Sequence, residues 1–138
     1  MATSAILDTS AYSHIGRSNP RLVSLIKDYE RLVLPLNVVA ELRSGYRLGS
    51  MEQENIHVLD LFLSQTQVGL AIADEITLEH YVTLYEIARR HGKTLSHNDL
   101  WIAALAQQLG YDLVTFDKDF AVFGELFGER LHILPTPK

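Results

Sequence analysis

Five short apolar runs most constrain what this chain can fold into. They are Ala5-Ile6-Leu7, Leu32-Val33-Leu34, Val68 to Ala73, Leu113-Val114-Thr115 and Leu131 to Leu134. Each is too brief for an ordinary helix and reads as a buried strand. Helical periodicity fills the intervals. Asp8-Thr9-Ser10 offers helix-capping residues. Leu22, Leu25, Ile26 and Tyr29 recur at spacings of three and four, predicting a helix from Pro20 to Tyr29. Asn37 is expected to cap a helix running from Val38 to about Arg47 and ending near Gly49. Ile56, Leu59, Phe62 and Leu63 mark a further helix. Leu78, Tyr81, Val82, Tyr85 and Ala88 predict the buried face of a long amphipathic helix, with Glu79, Thr83 and Glu86 on its wet side. Asp99 to Leu109 is apolar nearly all round, so that helix should be central, and Gly110 should end it. Strands alternating with helices specify a parallel sheet, because parallel strands need crossover connections. The expected fold is α/β, with four or five short strands and helices on both faces. With 138 residues, one domain over 1–138 is expected.

Four acids fall where such a sheet keeps its ligands, outside the carboxyl ends of the strands. Asp8 follows the first strand. Asp117 follows the fourth, one residue past Phe116. Asp99 opens the most buried helix, and Glu41 lies in the apolar setting Val38-Val39-Ala40-Glu41-Leu42. Each also has an ordinary structural use. Asp8 can cap a helix, Asp99 can belong to a Ser96-x-x-Asp99 capping box, Asp117 and Asp119 can be turn residues, and Glu41 can simply face water. Convergence would constrain the chemistry. Carboxylates within a few ångströms raise one another's pKa unless a cation intervenes. Oxygen donors select hard divalent ions such as Mg²⁺ or Mn²⁺. One or two such ions support phosphodiester hydrolysis by an activated water.

Four segments carry a family resemblance at this point. They are Ile6-Leu7-Asp8-Thr9-Ser10; Pro35 to Leu42 with Gly45 beyond; Asn98 to Ala104 followed by Gly110; and Leu113 to Phe120. In order and spacing they resemble the motifs of PIN-domain nucleases, nearest to the VapC-type toxins of toxin–antitoxin pairs. The resemblance implies the PIN fold and an Mg²⁺- or Mn²⁺-dependent endoribonuclease. It implies catalytic and metal-holding roles for Asp8, Glu41, Asp99 and Asp117. Thr115 corresponds to a supporting hydroxyl, with Asp119 and Thr9 beside the site. Arg43 and Lys118 are candidate phosphate contacts. An RNA substrate, an inhibitory antitoxin and a two-fold homodimer are the implied partners. Two other readings compete: a non-catalytic PIN-like module that binds RNA or protein, and a receiver-like phosphoacceptor domain. The latter lacks paired acids in the first motif.

Several other chemistries are excluded. The chain has no cysteine, so disulfides, thiolate nucleophiles and cysteine metal sites are ruled out. Its six histidines show no metal-ligand spacing; His14 and His97 read as surface or capping residues. Glycine-rich nucleotide motifs are absent, and Trp101 reads as core or interface. No leader-like N-terminal segment and no apolar run of membrane-spanning length occurs, so a cytoplasmic location without membrane attachment is expected. Most of the arginines and lysines, Arg89 and Lys93 among them, read as solvated helix faces. The net charge of −5 supplies no overall positive field and by itself argues against a nucleic-acid partner. Without the four site acids the charge would be only −1. The acidity therefore reads as an unfilled cation site rather than a diffuse repulsive field.

Overall fold

A computed structural model describes residues 3–137. Five strands form one sheet: β1 (Ser4–Leu7), β2 (Arg31–Pro35), β3 (Val68–Ala71), β4 (Asp112–Thr115) and β5 (Leu131–Ile133). All neighbours are parallel, in the order β3-β2-β1-β4-β5. The chain winds outward from β1 through β2 to β3, then crosses back to β4 on the other side. The reversal leaves a crevice beyond the carboxyl ends of β1 and β4, the position open α/β sheets use for ligands.

The main helices are α1 (Thr9–Ile15), α2 (Pro20–Ile26), α3 (Leu36–Leu48), α4 (Glu52–Leu63), α5 (Glu75–Arg90) and α6 (His97–Leu109). Every residue of β1 and β4 is buried, as expected of strands covered on both faces. α6 is the central helix: Leu100, Ile102, Ala103, Ala104, Leu105 and Ala106 are all at most 2% exposed. Its alanines permit close approach of neighbouring elements. Gly110 ends it at φ 68°, a left-handed conformation that glycine adopts without steric cost.

Three expectations need correction. α2 ends at Ile26, with Lys27 as its C-cap, and Tyr29 lies beyond it. The Tyr29 hydroxyl instead donates to Asp112 Oδ2 at 2.5 Å and lies 3.2 Å from His132 Nε2, tying the amino ends of the strands together. α3 begins at Leu36 after Pro35, so Asn37 lies inside the helix and caps nothing. α5 is turned from its expected orientation. It buries Thr77, Leu84 and Ala88 and leaves Leu78, Val82 and Tyr85 roughly half exposed. The physical reason lies at its start. Asp74 caps the helix, Thr77 returns a bond to the Asp74 N–H, and Thr77 Oγ1 donates to Gln108 on α6. Those bonds hold the Thr77 side of the helix against α6.

Candidate active site

The site begins with strand register. Leu7 pairs with Val114, so the next residues along, Asp8 and Thr115, are neighbours. Asp8 N–H continues the ladder to Val114 O at 3.3 Å. Thr115 Oγ1 donates to Asp8 Oδ2 at 2.5 Å. Asp8 also caps α1: its Oδ1 accepts from Ala11 N–H at 2.8 Å and from Ser10 Oγ at 2.7 Å. Capping and site-building are one arrangement here. Asp8 is only 4% exposed, and burial raises its pKa above the ordinary carboxyl value against the pull of these hydrogen bonds.

Ser10 has a second task. Its Oγ accepts from Phe116 N–H at 3.0 Å, fastening the loop after β4 to α1. Thr115 Oγ1 accepts from Asp117 N–H at 3.0 Å, and Asp117 Oδ1 accepts from Asp119 N–H at 2.9 Å. This turn opens a short 3₁₀ helix, Lys118–Phe123. Asp117 is thereby both a turn residue and a carboxylate at the crevice. His14 is buried rather than surface-lying: its ring stacks on Phe116 at 3.8 Å, and its Nδ1 lies 2.8 Å from Ser10 O.

α6 and α3 supply the other two acids. Ser96 caps α6 by accepting from Asp99 N–H at 3.1 Å, one half of the expected box. The Asp99 carboxyl is pushed up to about 6. Burial is the largest cause; the negative charges of Asp117, Asp8 and Glu41 add to it, and Ser96 opposes it. Three acids, Asp117, Asp8 and Glu41, therefore add to the effect of burial on Asp99. Glu41 is exposed on α3 and is held by Asn98, whose Nδ2 donates to Glu41 Oε1 at 2.5 Å. Asn98 is itself fixed by Asn37, whose Nδ2 donates to Asn98 Oδ1 at 2.8 Å.

The remaining candidates lie farther out. Lys118 is exposed, and Asp119 lies 3.8 Å from Lys93 Nζ. Arg43 lines a groove with Ala40, Ser44, Arg47 and Leu48 on the outside of α3. Thr9 Oγ1 is buried and has no hydrogen-bond partner among the described residues. Ser10, Asn37 and Asn98 are the residues sequence reasoning missed. Ser10 carried a faint signal, a hydroxyl two residues after the first acid. Asn37 and Asn98 carried none, since they meet across 61 residues of chain.

Among the described residues, no three acidic or histidine side chains are gathered closely enough to enclose a metal ion. The donor chemistry nevertheless suits one. The four acids offer only hard oxygen atoms, and burial together with the charges of Asp117, Asp8 and Glu41 raises Asp99.

A parallel sheet with Asp8 and Asp117 just beyond the carboxyl ends of neighbouring strands defines the general class. The particular family follows from comparison: residues 5–126 match the PIN domain, and the chain belongs to that family. Ribonuclease VapC1 of Haemophilus influenzae strain R2866 is 28% identical over 120 residues, covering 83% of this chain and 88% of that protein. The structure of VapBC-1 from nontypeable Haemophilus influenzae superimposes with TM-score 0.77 at 23% identity, covering 96% of this chain and 97% of that one. FitAcB from Neisseria gonorrhoeae gives TM-score 0.65 at 27% identity, covering 94% and 96%. The first of these relatives is by name a ribonuclease. Among the described residues, no helix is long and apolar enough to cross a membrane.

Proposed function

We propose that this chain is a divalent-metal-dependent endoribonuclease and the toxin of a VapBC-type pair. The observation that carries the reading is geometric: Asp8 and Asp117 follow neighbouring strands and are both hydrogen-bonded to Thr115 Oγ1, while Asn98 at the start of α6, next to Asp99, holds Glu41 of α3. In this reading Asp8, Glu41, Asp99 and Asp117 hold Mg²⁺ or Mn²⁺. When bound there, the ion would grip phosphate oxygens and activate water for phosphodiester hydrolysis. The protein's own part is positional. Thr115 and Ser10 fix Asp8, Asn98 holds Glu41, and the turn after β4 presents Asp117 and Asp119. Thr9 stands beside Asp8 with an uncommitted hydroxyl.

Two exposed apolar surfaces support the partners that this reading implies. An antitoxin segment is assigned to the groove lined by Tyr12, Ile15, Tyr46, Val58, Leu61 and Phe62, where Val58 and Leu61 are more than half exposed. An antitoxin arginine reaching the crevice would silence it, because the guanidinium fork pairs bidentately with carboxylates. A two-fold dimer is assigned to the strip beside β3, where Leu70, Ile72 and Leu109 line one groove and are 49%, 68% and 40% exposed.

The test is cleavage of total RNA with and without Mg²⁺ or Mn²⁺, beside Asp8→Asn and Asp99→Asn. The expected result is metal-dependent cleavage reduced at least about 100-fold in both variants, in line with the loss of a central electrostatic group. Metal-independent cleavage, or equal cleavage by either variant, would overturn the reading.

A further inference from the structure

A cationic cleft lies near the acidic turn after β4. The cleft lies between the C-terminal half of α5 and the start of α6 and has a volume of about 210 Å³. Tyr85, Arg89, Lys93 and His97 stand on its walls, over a floor that includes Ala88, Leu95 and Leu100. The floor residues are at most 8% exposed, so the cleft is seated on the core.

Its cations are not committed to acids. Arg89 forms no ion pair among the described residues; its guanidinium sits over the Tyr85 ring, 5.9 Å from the centroid. Lys93 makes only a loose, exposed contact with Asp119 at 3.8 Å, the kind of pair worth little in water. By contrast, the adjacent Arg90 is paired with Glu86 on the same helix at 3.3 Å.

Its aromatic wall is braced. The His97 ring lies 14° from parallel with Tyr81 and is hydrogen-bonded to the Tyr81 hydroxyl. Tyr81 in turn packs on Trp101, with ring centroids 4.4 Å apart. His97 is therefore held at its edge by Tyr81, which is itself packed on Trp101.

The cleft meets the acidic turn after β4 through one contact. Lys93 meets Asp119, whose N–H bonds to Asp117. His97 opens α6 two residues before Asp99, so their side chains leave the helix on different sides, about 200° apart.

We infer that this cleft carries the unpaired RNA strand flanking the scissile phosphate, with bases on Tyr85 and His97 and phosphates on Arg89 and Lys93. The inference rests on the ribonuclease reading and names the form of its substrate. Aromatic faces beside cations match the alternation of base and phosphate along a single strand. A duplex keeps its base faces stacked inside and cannot offer them. An acidic peptide would satisfy the cations but would leave the two rings without a stacking partner.

The experiment measures binding by the full chain of a fluorescein-labelled single-stranded oligoribonucleotide of about twelve nucleotides, sized to a typical strand groove. Ca²⁺ is present throughout, and the same strand annealed to its complement is the comparison. Single strand is expected to bind more tightly than duplex. Arg89→Ala with Lys93→Ala should raise Kd about tenfold or more and lower the slope of log affinity against log salt by about 1.4, the value for two single-strand phosphate contacts. Tyr85→Ala should raise Kd at least about fivefold with no change in slope. Tyr85 is 44% exposed, so its removal leaves the core intact. Lys27→Ala, at the far end of α2, should leave both unchanged. Cleft variants that bind like wild type, equal affinity for duplex, or loss confined to binding of an acidic peptide would overturn the inference. If Asp8→Asn abolishes cleavage while the cleft variants bind unchanged, the cleft fails and the ribonuclease stands. If the cleft binds RNA that wild type never cleaves, the ribonuclease reading fails and the cleft stands.

Discussion

At the scale of residues, the site is a matter of how one buried carboxylate is satisfied. Asp8 accepts hydrogen bonds from Thr115, Ser10 and Ala11, which offset part of the cost of burying it. Thr115 is wholly buried and also accepts from Asp117 N–H, so removing its hydroxyl strands two groups. Thr115→Val should therefore destabilise the fold by about 1.5–3 kcal/mol, the range for a lost hydrogen bond to a charged group. Thr115→Ser should recover most of it, and urea denaturation reads both; a loss below about 0.5 kcal/mol would contradict the role. Asp99 makes a pH-dependent prediction. Its folded-state pKa of about 6 lies above the ordinary value of 3.8, so the folded state favours the protonated acid. That contribution is complete below pH 3.8 and is lost as pH rises through 6. In chelator, Asp99→Asn should melt higher than wild type at pH 8, by roughly 3–5 °C for about 1 kcal/mol after solvent screening. The gap should close toward pH 4. A gap of the same size at both ends would refute the assignment.

At the scale of elements, the two ends of the sheet do different work. The carboxyl ends of β1 and β4 hold the acids; the amino ends hold Tyr29, Asp112 and His132. Tyr29→Phe should cost about 1 kcal/mol of stability for its hydrogen bond to Asp112 and leave RNA cleavage unchanged. Asn98→Ala should do the reverse. It should lower kcat roughly tenfold, equivalent to about 1.4 kcal/mol, by freeing Glu41, with little change in melting temperature. Equal effects of the two changes on cleavage would show that the ends are not separable. The same division explains what was legible in the chain. Short runs such as Leu113-Val114-Thr115 announce buried strands, and an acid directly after one, as with Asp8, announces the crevice. Periodicity places a helix but does not choose which apolar face meets the core. Leu78, Val82 and Tyr85 are exposed because bonds between Asp74, Thr77 and Gln108 set the rotation of α5. Asn37 looked like a cap because asparagine often is one; only packing of α3 against α6 brings it to Asn98.

At the scale of the whole molecule, the balance of −5 and the proposed RNA substrate are reconciled by where the charges sit. In the proposed site four acids share one crevice, while Arg89 and Lys93 line a neighbouring cleft with no strong acidic partner among the described residues. A phosphate approaching the crevice meets a local negative field, and long-range steering by the protein as a whole is absent. The cleft on α5 can hold the strand beside the site, but the scissile phosphate itself needs the acids neutralised. RNA affinity should therefore depend on the divalent ion even where no cleavage occurs. In chelator the single-strand Kd should be at least about tenfold weaker than in Ca²⁺, a difference of about 1.4 kcal/mol. The Asp99→Asn variant, with one crevice charge removed, should lose less affinity on chelation than wild type does. Fluorescence anisotropy at one fixed ionic strength separates this from general screening. Equal affinities with and without the ion would mean that the crevice acids do not face the bound strand.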